Sequence, residues 1–477
     1  MTVADPVRFG TSTARYVIAA TVLGSGIAFL DSTVVNVALP AIAEDLDTDV
    51  NGLQWTIDAY LVTLTALLLF GGSIGDRYGR KRVFIWGLIA FTVASVFCAV
   101  APNATALAIA RAGQGVGAAF LVPGSLAIIS ATFVPEERGR AIGAWSGLSG
   151  ISTAIGPFLG GWLIDAVSWR WVFLINIPLA AVAVAITIKH VPETRSSSER
   201  APDWIGAVLA ASGLALLAWG LIEQQAAVAI AGAIALVVFL VVEARSRMPM
   251  LPLRLFRSRA FSGANGTTLA VYGALGVTMF LVVVELQEAL DYSALEAGAS
   301  LLPVTLLLLA LSSRAGALAQ RIGPRWPMTI GPLIVAAGML LFARIEPGAS
   351  YWTTVFPAAT AFGLGLALTV APLTATVLGA VGDDDVGIGS GVNNAVARLA
   401  GLLTVAVLPA MVGLESNLDP VAFSDAVDEA MYWSAGLAAL GGLIAFFTVR
   451  SCAQIQAHVP ADLSQPCSES ERAKLAS

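Results

Sequence analysis

Asp31 and Arg111 each stand inside a run of sequence that is otherwise almost wholly apolar. A charge at the centre of a bilayer costs roughly 2.5–3.5 kcal/mol on insertion scales, so a residue in such a place faces a partner or a cavity. The chemistry open to Asp31 is binding and releasing a proton; the plainer alternative is a hydrogen bond between two helices. Arginine does not give up its proton in practice. Arg111 therefore suits either tuning a neighbouring carboxylate or holding two helices in a fixed ion pair. Gln114 and Gly115 share its face about one turn further on. Asp58 stands shallower, near the outer end of the next apolar run, where proton coupling and an interfacial carboxylate are both open readings. Glu285 and Glu288 close a later run. Glu285 is read as a second titrating group, with interfacial solvation as the alternative. Asn36, Gln114, Asn394 and Arg398 are polar residues in apolar runs, and Asn394 and Arg398, four apart, share a face. These four are expected to line a cavity.

Other chemistries lack their residues. The histidines are His190, at the end of a run, and His458, in the C-terminal tail, so proton coupling is expected to run on carboxylates. Neither the GxxxxGK[ST] phosphate loop that would cradle ATP nor a Ser/His/Asp constellation or metal-ligand cluster occurs. No enzyme activity, cofactor or metal is expected. Cys98, Cys452 and Cys467 have neither disulfide nor zinc spacing.

The elements that must position these residues are membrane spans. Hydrophobic residues make up 57% of the chain and charged residues 12%, against about 25% charged in soluble domains; mean hydropathy is +0.81. No basic patch of the kind nucleic acid requires is present. A spanning helix needs about 20 apolar residues. Fourteen runs qualify: 14–39, 53–72, 83–101, 105–128, 139–164, 170–188, 203–222, 226–243, 260–286, 296–319, 327–344, 350–380, 386–412 and 430–449. The seventh and eighth are joined by a very short turn and read as a hairpin. The first run is too long for a signal-peptide core and is read as retained. Trp55, Tyr60, Trp145, Phe280 and Phe362 read as belt or core packing rather than cavity lining.

Basic residues set the orientation. With the N-terminus inside, most of the 26 lysines and arginines fall in cytoplasmic segments, whereas Arg170 and Arg344 are the ones in outer loops. Both termini are therefore expected in the cytoplasm of a cell-membrane protein. An internal echo divides the chain: Gly72-Ser-Ile-Gly-Asp-Arg-Tyr-Gly-Arg-Lys81 follows the second run, and Gly316-Ala-Leu-Ala-Gln-Arg-Ile-Gly-Pro-Arg325 follows the tenth. Two six-span halves with an inserted pair place both loops between a second and a third span. The expected division is an N-terminal half over 1–192, a linker with two inserted helices over 193–259, a C-terminal half over 260–450 and a cytoplasmic tail over 451–477. Two repeats with a solute site between them is a common transporter plan.

The loop Gly72–Lys81 resembles the signature loop of the major facilitator superfamily. Leu30-Asp31-Ser-Thr-Val-Val-Asn36-Val-Ala-Leu-Pro40 resembles the first-span motif of its fourteen-span drug:proton antiporters, the EmrB/QacA group. Arg111-Ala-Gly-Gln-Gly-Val-Gly117 resembles the proton-coupling motif, and Gly156-Pro157-Phe-Leu-Gly160-Gly161 the antiporter motif of span five. The resemblance implies an all-α fold of 14 transmembrane helices, two six-helix bundles plus two inserted helices. It also implies a proton-driven multidrug exporter of hydrophobic or cationic compounds, conferring antibiotic resistance by alternating access. The partners would be that substrate, protons and the lipid bilayer, with the protein a monomer. A dedicated exporter of a lipid or metabolite, or an importer, is the alternative on the same fold. In this reading Gly72, Asp76, Arg77, Gly79 and Arg80 form a gating loop. Asp76 suits the dipole at the start of span three, and Arg77 and Arg80 pair with Asp383, Asp384 or Asp385; the alternative is that these arginines only enforce topology. Gly156-Pro157 is expected to break span five, with Gly160 and Gly161 admitting close packing at the interface of the halves.

Overall fold

The computed structural model describes residues 7–134, 137–195, 203–246, 249–381, 386–414 and 420–449. Helix accounts for nearly all of them. In chain order the helices are α1 (Ser12–Leu46), α2 (Val50–Tyr78), α3 (Arg80–Ala99), α4 (Ala104–Thr132), α5 (Arg138–Ala166), α6 (Trp171–Leu174) and α7 (Asn176–His190). They continue with α8 (Trp204–Ile222), α9 (Ala226–Arg245), α10 (Arg259–Glu288), α11 (Ala294–Ser300) and α12 (Leu302–Ile322), then α13 (Arg325–Phe342), α14 (Phe356–Gly379), α15 (Val386–Met411) and α16 (Pro420–Thr448). Among the described residues, 13 helical stretches are long and apolar enough to cross a bilayer; α5, of 29 residues, coincides with the remaining expected span. With no water in a bilayer core, every backbone polar group must bond internally, and helices meet that demand. The fold is all-α.

Side chains close several helix starts. Thr11 accepts from Ala14 N at 3.2 Å, Asp49 from Gly52 N at 3.0 Å and Asn103 from Ala106 N at 2.9 Å, each satisfying an orphan N–H of a first turn. Gly79 ends α2 at φ +110° and Gly323 ends α12 at φ +88°. Both are backbone conformations that favour glycine, so the two echoed loops share their turn as well as their letters.

Two expectations about breaks change. Pro157 does not break span five: α5 runs unbroken from Arg138 to Ala166 with the proline inside it. Spans six, ten and twelve are the interrupted ones. The sixth is split into α6 and α7, and the tenth into α11 and α12, where Pro303 stands in the first turn of the new helix. The twelfth begins with one wide turn over Tyr351–Val355 and continues as α14, with Pro357 in its first turn. A first-turn proline needs no N–H partner and is compatible with a fresh start.

The chain packs as two compact units. One comprises Met1–Pro252, Val283–Ala299 and Leu402–Phe423; the other comprises Leu253–Val282, Ser300–Gly401 and Ser424–Ser477. In the first unit α4 packs along α2 and α3, and α1 along α5 and α7. Gly115 abuts the Tyr60 carbonyl, and Gly117 lies against the backbone of Phe91. In the second unit α14 packs along α13 and α12, with Gly338 against the backbone of Phe362. Small residues let such helices approach closely in lipid. The seventh and eighth spans form the expected hairpin: Gly220 meets the backbone of Ala229, and Gly232 that of Leu217. At one end of α8, Trp204 meets Phe70 of α2 edge-on, ring centroids 4.6 Å apart. At the other end, Trp55 Nε1 donates to Glu223 at 3.0 Å.

Candidate functional site

Five helices of the first unit bring side chains to one buried point. α1 supplies Asp31, α4 supplies Arg111 and Gln114, α3 supplies Ser95 and Cys98, α7 supplies Asn176, and α2 supplies the carbonyl of Thr56 and the ring of Tyr60. The Asp31 and Arg111 side chains are 0% and 2% exposed. Arg111 Nη1 donates to Asp31 Oδ2 at 2.5 Å and to Gln114 Oε1 at 2.7 Å, while Nε donates to Thr56 O at 2.9 Å. Gln114 Nε2 and Asn176 Nδ2 each donate to Asp31 Oδ1 at 3.1 Å. Both amides also donate to Ser95 Oγ, at 2.8 and 3.2 Å, and the Cys98 thiol donates to Gln114 Oε1. The guanidinium lies over the Tyr60 ring, 4.4 Å from its centroid. A buried ion pair is tolerable only when further hydrogen bonds satisfy its remaining lone pairs and protons, and those donors are present here.

Local sequence explains the convergence. Gly115 allows α4 to lie against the α2 backbone, which brings Arg111 within reach of the Thr56 carbonyl. Gly156 and Gly160 lie against Thr33 and Val34, so the small-residue face of α5 rests on α1 beside Asp31. Gly161 meets the backbone of Ala294 and Leu295, and Gly298 meets the Pro157 carbonyl. Leu295 N donates to Asp165 at 2.9 Å. The α5 motif thus acts by backbone approach along an unbroken helix.

Asp58 is fully buried, and neither of its oxygens has a hydrogen-bond partner among the described residues. Thr56 and Tyr60, four apart, face Arg111; Asp58, midway between them, points to the other side of α2. Gln54, one turn before Asp58 on that side, donates to Val405 O at 2.8 Å.

The gating loop is built differently from expectation. Asp76 lies in the last turns of α2 and pairs with Arg80 at 2.7 Å. The carboxylate at the start of α3 is Glu193, which accepts from the N–H groups of Lys81 and Arg82 at 3.1 and 3.3 Å. It also fills the space over Gly79 where a Cβ would stand. Gly72 lies near Pro123 of α4. Arg77 is exposed. Its expected partners Asp383, Asp384 and Asp385 lie outside the described residues, as do Cys452, His458 and Cys467. His190 stacks on Tyr16 with ring centroids 3.8 Å apart.

The other expected site residues stand apart from the Arg111 cluster. Asn36 is half-buried further along α1. Glu285 is fully buried near the end of α10, whereas Glu288 is exposed. Asn394 bonds back to its own helix at Ser390 O, and Asn393 instead ties α15 to α10 through Thr268 at 2.7 Å and Asn265 at 3.2 Å. Arg398 is half-buried on α15. Among the aromatics, Tyr60, Phe280 and Phe362 are buried in packing, and Trp145 Nε1 donates to Ser25 at 2.7 Å. Sequence reasoning passed over Asn176, Ser95 and Glu193. An asparagine inside the apolar run of span six was the available signal for the first.

Comparison with known proteins places this geometry. The sequence profile described as Major Facilitator Superfamily matches residues 21–405.

The chain belongs to the Major Facilitator Superfamily.

Its relatives include the multidrug resistance protein Stp of Mycobacterium tuberculosis (strain CDC 1551 / Oshkosh), 32% identical over 84% of this chain and 76% of Stp. The methylenomycin A resistance protein of Bacillus subtilis (strain 168) is 32% identical over 85% of this chain and 89% of its own length. The puromycin resistance protein pur8 of Streptomyces alboniger is 35% identical over 80% and 78%. Among solved structures, an auto-inhibited POT family peptide transporter superposes with TM-score 0.71 at 16% identity, covering 96% of this chain and 99% of that one. A bacterial homologue of the lysosomal transporter Spinster gives 0.66 at 15%, covering 92% and 97%. At such identities the likeness concerns the fold alone. As a Major Facilitator Superfamily member with this many apolar helices, the protein is a multi-pass membrane transporter.

Proposed function

We propose that this protein is a proton-coupled antiporter of the fourteen-span drug-exporting group, sited in the cell membrane with both termini in the cytoplasm and working as a monomer. The exported compounds are small and hydrophobic or cationic. Relatives named for multidrug, methylenomycin A and puromycin resistance support export of such compounds. The observation that carries proton coupling is the buried Asp31 carboxylate, held by Arg111, Gln114 and Asn176, with a second buried carboxylate, Asp58, on the far side of α2.

Protonation of Asp31 would cancel the charge opposing Arg111 and turn an acceptor into a donor. Asn176 Oδ1 accepts no hydrogen bond among the described residues, and rotation of that amide gives the new O–H an acceptor. Each protonation state of Asp31 thus selects a different hydrogen-bond arrangement joining α1, α4 and α7. Asp58 and Glu285 are further proton carriers in this reading. Asn36, Asn394 and Arg398 line the substrate path. The loop Gly72–Arg80 gates the cytoplasmic side, and Gly156, Pro157, Gly160 and Gly161 serve the conformational change. Residues 1–192 and 260–450 are the two halves, joined by 193–259. Relatives named for resistance to a single antibiotic favour a second reading, a pump with one dedicated cargo.

Ethidium efflux in a strain stripped of its own pumps tests the proposal. Efflux should collapse on addition of an uncoupler and be lost in Asp31→Asn. Uncoupler-resistant efflux would refute proton coupling. An absence of efflux for every cation tested would favour the dedicated carrier.

A further inference from the structure

At the foot of the inserted hairpin, two carboxyl groups face one another across a glycine. Asp203 caps α8: its Oδ1 accepts from Gly206 N at 2.7 Å. Glu243, in the last turns of α9, is 2% exposed, and its Oε2 accepts from Leu251 N at 2.8 Å in the segment leading out of the hairpin. The second oxygen of each, Asp203 Oδ2 and Glu243 Oε1, is buried with no donor among the described residues. Both stand over Gly206, where an added Cβ would meet Glu243 Oε1 at 2.5 Å and Asp203 Oδ2 at 2.9 Å. The two oxygens therefore lie close to one another over that glycine.

Two carboxylate oxygens are both acceptors. Packed together away from water they repel, and two such groups sharing a site do not both ionise. Among the described residues no ion pair joins a cation to either carboxyl. Arg245 is exposed, and so is Arg77 at the same end of α2. Asp76 is already paired with Arg80. Where α2 meets the base of α8 it presents the Phe70 ring.

We infer that Asp203 and Glu243 form a further proton-binding site, in which one shared proton clasps the ends of α8 and α9 together and holds the following segment at Leu251. This site is separate from Asp31 and needs no transport cycle to bind its proton. Loss of the proton places two negative charges over Gly206 and releases the clasp.

The test uses the purified full-length protein in detergent and does not depend on its cargo. Asp203→Asn and Glu243→Gln each replace the shared proton by a permanent N–H donor, and asparagine caps a helix as well as aspartate does. The sign follows from linkage: a proton held in the folded state but lost in the unfolded one stabilises at low pH, and that contribution disappears as pH rises. The wild-type melting temperature should therefore fall relative to both variants as pH is raised, with the three alike at low pH. A wild-type-to-variant difference that stays constant with pH would overturn the site. Should a variant fail to fold, infrared spectra of wild-type protein carrying 13C-carboxyl glutamate or 13C-carboxyl aspartate decide the matter. The wild-type-minus-variant difference spectrum, taken with whichever variant folds, should hold a protonated-carboxyl band from one of the two labels that bleaches as pH rises. A difference spectrum without such a band would refute the shared proton.

Discussion

At the residue scale the Arg111 cluster is a commitment of charge that cannot be half-removed. Replacing Asp31 by asparagine leaves the guanidinium buried without its counter-charge, and breaking a buried pair from one side costs about 3–5 kcal/mol. Asp31→Asn should therefore melt well below wild type in detergent as well as losing coupled transport. Asp31→Asn with Arg111→Met should melt higher than Asp31→Asn alone, because contacting residues are not additive; a double variant no better than the single would show that the pair is not the source of the loss. Asn176→Ala removes one donor from Asp31 and leaves a buried acceptor short, costing about 1–3 kcal/mol. Its efflux should decline while remaining sensitive to an uncoupler. Unaltered efflux would remove Asn176 from the coupling apparatus. The sequence made Asp31, Arg111 and Gln114 conspicuous because charge and amide are rare in apolar runs. It left Asn176 and Ser95 unremarked, since single small polar residues in spans commonly bond within their own helix, as Ser212 does to Val208 here.

At the scale of elements, two features position the cluster and its neighbouring loop. Gly115 rests on the Tyr60 carbonyl and close to Leu64 N. Gly115→Ala has backbone on both sides and should push α4 off α2, stretching the Arg111–Thr56 bond. Lower thermal stability and lost efflux in Gly115→Ala, with normal membrane insertion, is the expected outcome. Glu193 satisfies the first N–H groups of α3, a capping role usually worth about 0.5–2 kcal/mol. Glu193→Ala should lower stability by that order and raise proteolysis in the loop after α2; the melting curve and a limited digest check it. The sequence assigned this capping charge to Asp76 because Asp76 is nearer in the chain. Glu193 lies more than a hundred residues away, and only the packing of α7 beside α3 brings it there. Proline misled in a similar way. Pro157 looked like a break, yet neighbouring helices and local adjustment commonly satisfy the groups a proline frees inside a membrane helix. The actual interruptions fall at α6–α7, α11–α12 and the start of α14.

For the whole molecule, the inserted hairpin is fixed to α2 at both ends, through Trp55–Glu223 and Phe70–Trp204. The hairpin and α2 should therefore move as one body. A Trp55→Cys, Glu223→Cys pair joined by a short bismaleimide should keep wild-type efflux, and arrest on cross-linking would refute this attachment. Span number and helical class were legible from the sequence because they depend on composition and period, which are local or additive along the chain. A bilayer core demands about 20 apolar residues per crossing, and the glycines of the echoed loops demand positive φ. Which carboxylate meets Arg111, that Asp58 faces away from it, and that Asp203 and Glu243 share one glycine were decided by tertiary structure alone. Each depends on which faces of separate helices are turned toward one another. A hydrogen bond forms within about 3 Å, whereas the sequence fixes a side chain's direction only relative to its own helix.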